Sequence, residues 1–309
     1  MRQAFVQTLT ELAAADARIV LLTGDLGYMS LEPFAERHPD RFVNVGVAEQ
    51  NMVGLATGLA EAGLIPFVYS IAPFAVLRPY EFIRNGPVQH QLPVRIVGVG
   101  GGFEYATNGL SHYGLEDLAV TRLQPGLTVI APADHEQART ALAASWNLPG
   151  PVYIRLGKDE KTVVPELKGR FELGKLQHIR EGSDLLLIAT GAIAAEAAAA
   201  AKELDSRGVA CGLVVLASVS PAPGDDLAGL LAQYRVAMTV ETHYCIGGVG
   251  SLVAELIAAR NLHCRLVACG VSPRPRRAIG SQRNLQHLSG LSQEKLVQTA
   301  LESLNPTGK

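Results

Sequence analysis

Short apolar runs alternate along this chain with segments whose apolar residues return every three or four positions. That alternation constrains the fold more than any other feature. The runs 19–23, 42–45, 65–70, 94–99, 128–131 and 152–155 are nearly continuous and lack the polar alternate of a strand with one wet face. Strands buried on both sides need helices above and below the sheet. Segments 3–15, 48–61, 74–89 and 135–146 supply them with helical period, which predicts βαβ units and a mainly parallel sheet. A charged stretch, 158–174, carrying Pro165 and two glycines, interrupts the rhythm and reads as a linker.

The pattern then restarts. Strands are predicted at 184–189, 210–216, 237–240 and 265–268, and helices at 192–207, 252–260 and 293–304. The expectation is an α/β protein of two domains, each a mainly parallel sheet flanked by helices, spanning 1–160 and 176–309 and joined by 161–175. A chain of 309 residues is long enough for two cores. With 27 Lys and Arg against 29 Asp and Glu there is no basic footprint, so a nucleic-acid partner is not expected. The most apolar stretch, 185–201, is broken by Thr190, Gly191 and Glu196, which argues against a membrane span. The first twenty residues have helical period and no secretory pattern, so a cytoplasmic location is expected. Cys211, Cys245, Cys264 and Cys269 form no CxxC pair, and neither a zinc site nor a disulfide framework is read from them.

Candidate chemistry concentrates at 43–54, VNVGVAEQNMVG. A strand ends near Val45, a glycine turn follows, and a helix begins near Ala48. Glu49 therefore falls in a first helical turn at the carboxyl edge of a parallel sheet, where α/β folds place ligands. A carboxylate that merely complements the helix dipole would occupy the same position.

The wider pattern separates the two readings. Residues 47–60, followed by Gly63-Leu64-Ile65-Pro66-Phe67, resemble the pyrimidine-binding domain of transketolases, enzymes that use thiamine diphosphate. Ser70-Ile71-Ala72-Pro73-Phe74 is similar to that family's cofactor-stacking segment. Asn108-Gly109-Leu110-Ser111-His112 with Leu115-Glu116-Asp117-Leu118-Ala119 is similar to its substrate loop, and 128–134 follows in order. In the second half, 188–191, Val240-Glu241-Thr242-His243 and 246–251 resemble the family's C-terminal domain.

The resemblance implies a role for each matched residue. Glu49 would hydrogen-bond the pyrimidine ring nitrogen and so favour the imino form that deprotonates the thiazolium carbon. Val45, Val47, Met52 and Phe74 are expected to give it an apolar pocket. Phe74 would stack on the pyrimidine beside Ile71, which replaces a usual aromatic, as does Leu77. Asp25 would lie near the cationic thiazolium, with a turn or N-cap role as its bland alternative. His112 would touch the donor's hydroxyls together with Asn108, which stands where the family has an aspartate. Arg2 and Arg155 would hold an anionic tail, because a guanidinium fork suits a tetrahedral oxyanion. Gly100-Gly101-Gly102 replaces a histidine the family uses for phosphate, so the tail is read as phosphate, sulfonate or carboxylate.

One signature is missing. The Gly-Asp-Gly with a following asparagine-rich end, which holds diphosphate and Mg²⁺ in this superfamily, has no match at Gly24-Asp25-Leu26 or Gly224-Asp225-Asp226. No metal ligand is therefore assigned to this chain. The implied arrangement is a two-component transketolase whose N-terminal, diphosphate-binding subunit supplies the Mg²⁺ ligands, as an α2β2 heterotetramer acting on a sugar. The runner-up is a β subunit of a 2-oxoacid dehydrogenase, whose usual His-rich loop is absent from 100–105, or a deoxyxylulose-phosphate synthase-like decarboxylating enzyme, normally one long chain. A non-catalytic scaffold is the third reading. The Gly247-Gly248-Val249-Gly250 turn is read as structural, and the basic run 273–277 as a solvated loop.

Overall fold

A computed structural model describes residues 1–273 and 279–304. The first half contributes β1 (Ile19–Thr23), β2 (Phe42–Asn44), β3 (Ile65–Ile71), β4 (Arg95–Val99), β5 (Thr128–Ile130) and β6 (Val152–Leu156). Its helices are α1 (Arg2–Ala15), α2 (Glu32–Arg37), α3 (Glu49–Glu61), α4 (Ala72–Val76), α5 (Tyr80–Ile83), α6 (Asp117–Arg122) and α7 (His135–Ser145). The second half adds β7 (Gln177–Arg180), β8 (Leu185–Thr190), β9 (Cys211–Val215), β10 (Ser218–Ser220), β11 (Val236–Tyr244) and β12 (Arg265–Val271). With them come α8 (Ala194–Ser206), α9 (Gly224–Leu231), α10 (Val249–Ala259), α11 (Gln282–Leu288) and α12 (Gln293–Leu304).

Two sheets result, with strand orders β10-β5-β6-β4-β3-β1-β2 and β12-β11-β8-β9-β7. Pairing is parallel except at β10 on β5 and β7 on β9. Every residue of β1, β4, β6 and β8 is buried, the burial that continuous apolar runs demand. Arg95 is a buried charge within that layer, satisfied by the carbonyls of Trp146, Leu148 and Gly150. In α8, Ala194, Ala197, Ala200 and Ala201 are fully buried, so small side chains form its packed face.

Three sequence expectations change. The charged stretch after β6 carries no helix or strand, yet it is a packed strap. Val164 and Leu167 are fully buried, and Asp134 Oδ2 accepts the Val164 amide at 3.0 Å. The single helix expected over 74–89 is broken into α4, α5 and a widened π-type turn at Arg84–Val88. Pro79 disfavours helical geometry at Arg78, and Pro87 lacks an amide to donate, so the helix cannot run through. The third concerns β10, which comes from the second half but completes the edge of the first sheet. In the glycine turn before α10, Glu241 accepts the amides of Val249 at 2.8 Å and Gly250 at 2.7 Å. The anion at that helix start is thus the protein's own. Of the basic run 273–277, residues 274–277 lie outside the described residues.

Candidate active site

The carboxyl ends of β1, β2, β3 and β4 open onto a common face, and the turns that leave them carry the candidate residues. After β2 the chain passes through Gly46 at φ +74, a left-handed turn that glycine makes without strain, and enters α3. Glu49 is the first residue of α3 and is 1% exposed. Ser70 at the end of β3 donates to its Oε1 at 3.4 Å. Gly24, after β1, leaves the space in front of it: a Cβ there would lie 3.8 Å from Glu49 Oε1.

The pocket around Glu49 is apolar only in part: Met52, one turn along α3, is fully buried. Val47 points outward and is 70% exposed. Arg78, between α4 and α5, instead places Nη1 2.9 Å from both carboxylate oxygens. Its Cζ stands 3.8 Å from the centroid of the Phe74 ring. Phe74 and Arg78 are four residues apart, so i,i+4 spacing on a helical segment was the signal that could have paired them.

Phe74 is half-buried on α4, and its ring meets His112 edge-on at 5.0 Å and 66°. His112 Nδ1 lies 3.0 Å from Ser111 Oγ. Partial burial, and then the nearby Arg78 guanidinium, pull its imidazole below the ordinary 6.5. Tyr105 continues the wall, 6.3 Å from the His112 ring, with Lys158 Nζ 4.6 Å from its ring centroid. Asn108 lies on the same loop and is exposed, its Oδ1 accepting from Thr107 at 3.3 Å. Ile71 ends β3 and is half-buried beside the start of α4.

Asp25 leaves β1 at φ +56, a left-handed conformation that a non-glycine residue seldom adopts. Its Oδ1 accepts from Tyr28 Oη at 3.0 Å and Asn44 Nδ2 at 3.1 Å, and its amide donates to Asn44 Oδ1 at 3.0 Å. These three hydrogen bonds fix the exposed Asp25 side chain in the turn that leaves β1.

The two arginines fare differently. Arg2 is half-buried at the start of α1, near enough to Tyr69 and Tyr105 for its charge to be felt by both. Arg155 is 5% exposed, and two of its three guanidinium nitrogens are engaged within the protein. Nε lies 2.9 Å from Asp117 Oδ2, and Nη2 donates to the carbonyls of Gly114 at 2.6 Å and Thr242 at 2.9 Å. These contacts tie β6 to α6 and to β11, and Arg155 also lines a small cavity with Gly101 and Glu104.

Residues 1–162 match the family model for the transketolase pyrimidine-binding domain, and 174–296 that for the transketolase C-terminal domain. This chain belongs to the transketolase family. It is 33% identical over 306 residues to one component of the apulose-4-phosphate transketolase of Phocaeicola vulgatus, covering 97% of this chain and 96% of that protein. It is 36% identical over 258 residues to one component of the 6-deoxy-6-sulfo-D-fructose transketolase of Clostridium sp., covering 83% and 80%. A solved split-gene transketolase, described as an inactive beta4 tetramer, superposes with TM-score 0.87 at 35% identity, covering 98% of this chain and 97% of that one. Among the described residues no group of three His, Cys, Asp or Glu is placed to hold a metal ion. No helix among them is long and apolar enough to cross a membrane.

Proposed function

We propose that this chain is the C-terminal subunit of a two-component transketolase that moves a two-carbon ketol unit from an anionic ketose to an aldehyde. Its partner is an N-terminal subunit that holds the diphosphate and Mg²⁺, in an α2β2 assembly. The observation that carries this reading is Glu49: a carboxylate 1% exposed at the head of α3, joined through Arg78 to the half-buried Phe74 ring. A buried acid beside an accessible aromatic face suits an aminopyrimidine, which needs one hydrogen-bond anchor and one stacking surface.

Thiamine diphosphate, when bound, supplies the carbanion nucleophile that accepts the ketol unit. The chain's own residues do the rest. Glu49 anchors and shares a proton with the ring nitrogen, and Phe74 with Ile71 fixes the ring plane. Asp25, held in place by Tyr28 and Asn44, offers a negative charge to the thiazolium side. His112, its Nδ1 engaged by Ser111 Oγ, turns its remaining ring nitrogen to the donor hydroxyls, and partial burial and the Arg78 charge, which lower its imidazole, favour the neutral form. Asn108 adds a neutral partner on the same loop. Arg2, with Arg155, faces an anionic tail, and the Phocaeicola and Clostridium relatives are named for sugars with phosphate and sulfonate groups.

Calorimetry with thiamine diphosphate and Mg²⁺, on this chain alone and mixed with its N-terminal subunit, tests the reading. Tight binding only in the mixture is expected, followed by ketol transfer that Glu49→Ala abolishes without disturbing assembly. Pyruvate decarboxylation without ketose cleavage would replace transfer by the decarboxylating alternative. Full turnover in Glu49→Ala would overturn the site.

A further inference from the structure

Arg78 makes both contacts that the proposed cofactor ring would need. Its Nη1 is 2.9 Å from each oxygen of Glu49, and its Cζ sits 3.8 Å over the centre of Phe74. A guanidinium is a flat cation with N–H donors in its plane. A protonated 4-aminopyrimidine presents the same features: a flat ring, a ring N–H and an exocyclic amine. We propose that Arg78 is a placeholder for the pyrimidine, occupying the Glu49–Phe74 site in the free chain and leaving it when the cofactor enters. This rests on the reading of Glu49 and Phe74 as the pyrimidine site.

Three features fit such a role. Without a cation, the Glu49 carboxylate would be a buried and unpaired charge, which is strongly unfavourable. The Glu49 side chain is 2% exposed while that of Arg78 is 40% exposed, so the arginine can swing toward solvent while the acid cannot. Arg78 also lies in the break between α4 and α5, next to Pro79, where no continuous helix holds its backbone. The exchange is then one of partners: the carboxylate passes from guanidinium to pyrimidine without being bare, and Phe74 keeps a flat group on its face.

A competitor inside the site reduces apparent affinity by the fraction of time that it leaves the site open. If the ion pair is formed nine-tenths of the time or more, removing it tightens binding about 10-fold or more. Titration calorimetry with thiamine diphosphate and Mg²⁺ on the assembled pair of subunits compares wild type, Arg78→Met, Arg78→Lys and Glu49→Gln. Arg78→Met is expected to bind at least about 10-fold more tightly than wild type. Arg78→Lys, which keeps a charge but has no plane to stack, should fall between them and serves if the Met variant does not fold. NMR titration of His112 in the free chain is the second readout, and its imidazole should titrate higher in Arg78→Met because a neighbouring cation is gone. Equal or weaker binding in both Arg78 variants, with Glu49→Gln still losing the cofactor, would overturn the placeholder and leave the pyrimidine site standing. Binding indifferent to Glu49→Gln would remove the site and the placeholder together.

Discussion

Glu104 shows how a single side chain couples its loop to pH. Burial beside the start of the strap pushes its carboxyl from 4.5 up to about 7, although the Lys158 amide donates to it and Arg155 pulls the other way. Below about pH 4.5 the group is neutral folded or unfolded and exacts no penalty. Between 4.5 and 7 the unfolded chain loses the proton while the folded one keeps it, so stability falls as pH rises through that window. Above it the penalty of a largely desolvated charge remains. Glu104→Gln keeps an oxygen for the Lys158 amide and removes the charge. Thermal melts should therefore coincide for the two proteins near pH 4.5 and favour the Gln variant at about pH 8. Parallel curves at both pH values would contradict the burial of this carboxyl. At this scale the sequence marked Glu49, Phe74, Asp25 and His112 as candidates, because each sits in a segment whose order along the chain is informative. It did not show Arg78, because an arginine after a short helix is ordinarily solvated. Nor did it show that Arg155 is enclosed, since a strand-end arginine reads the same whether it faces a ligand or a carbonyl.

Strands were legible at the level of elements wherever the apolar run was long. β1, β3, β4, β6, β8 and β9 stand within a residue or two of the runs that announce them. The three-residue β10 carries too little pattern to be read, and its neighbour in the sheet is far away in sequence. The 74–89 segment misled because its apolar spacing is helical while Pro79 and Pro87 break the backbone. How tightly the α4 turn is held follows from Gly98 in β4. A Cβ at Gly98 would stand 2.5 Å from Tyr153 Oη and 3.1 Å from Ala72 Cα. Tyr153 cannot yield easily, being fully buried with its hydroxyl 2.6 Å from Asp117 Oδ2, and Ala72 is backbone at the start of α4. Gly98→Ala should thus lower stability by about 1–3 kcal/mol in urea denaturation. It should also displace Phe74 and weaken thiamine diphosphate binding by the assembled enzyme. A variant as stable as wild type would mean that β4 and α4 are not in close contact.

Across the whole molecule the two domains behave as one structure because their connections are built into both. β10 lends the first sheet its outermost strand, and the strap between β6 and β7 packs Val164 and Leu167 into the second core. Arg155 joins them at the centre, reaching from β6 to the Gly114 carbonyl, the Asp117 carboxylate and the Thr242 carbonyl in β11. Removing one partner of a buried ion pair is far more damaging than replacing both, since the survivor keeps its charge without compensation. In Arg155→Met, Asp117 would keep the Tyr153 hydroxyl but lose its cation, and two carbonyls would lose their donor. The expected loss is about 3–5 kcal/mol. Trp146, the chain's one tryptophan, reports the first domain, while far-UV circular dichroism reports both. The two signals should shift together to lower urea, and the double variant Arg155→Met/Asp117→Asn should recover part of the loss. An unshifted urea midpoint, with a raised KM for the ketose, would instead assign Arg155 to the substrate only and leave the domains joined by their packing alone.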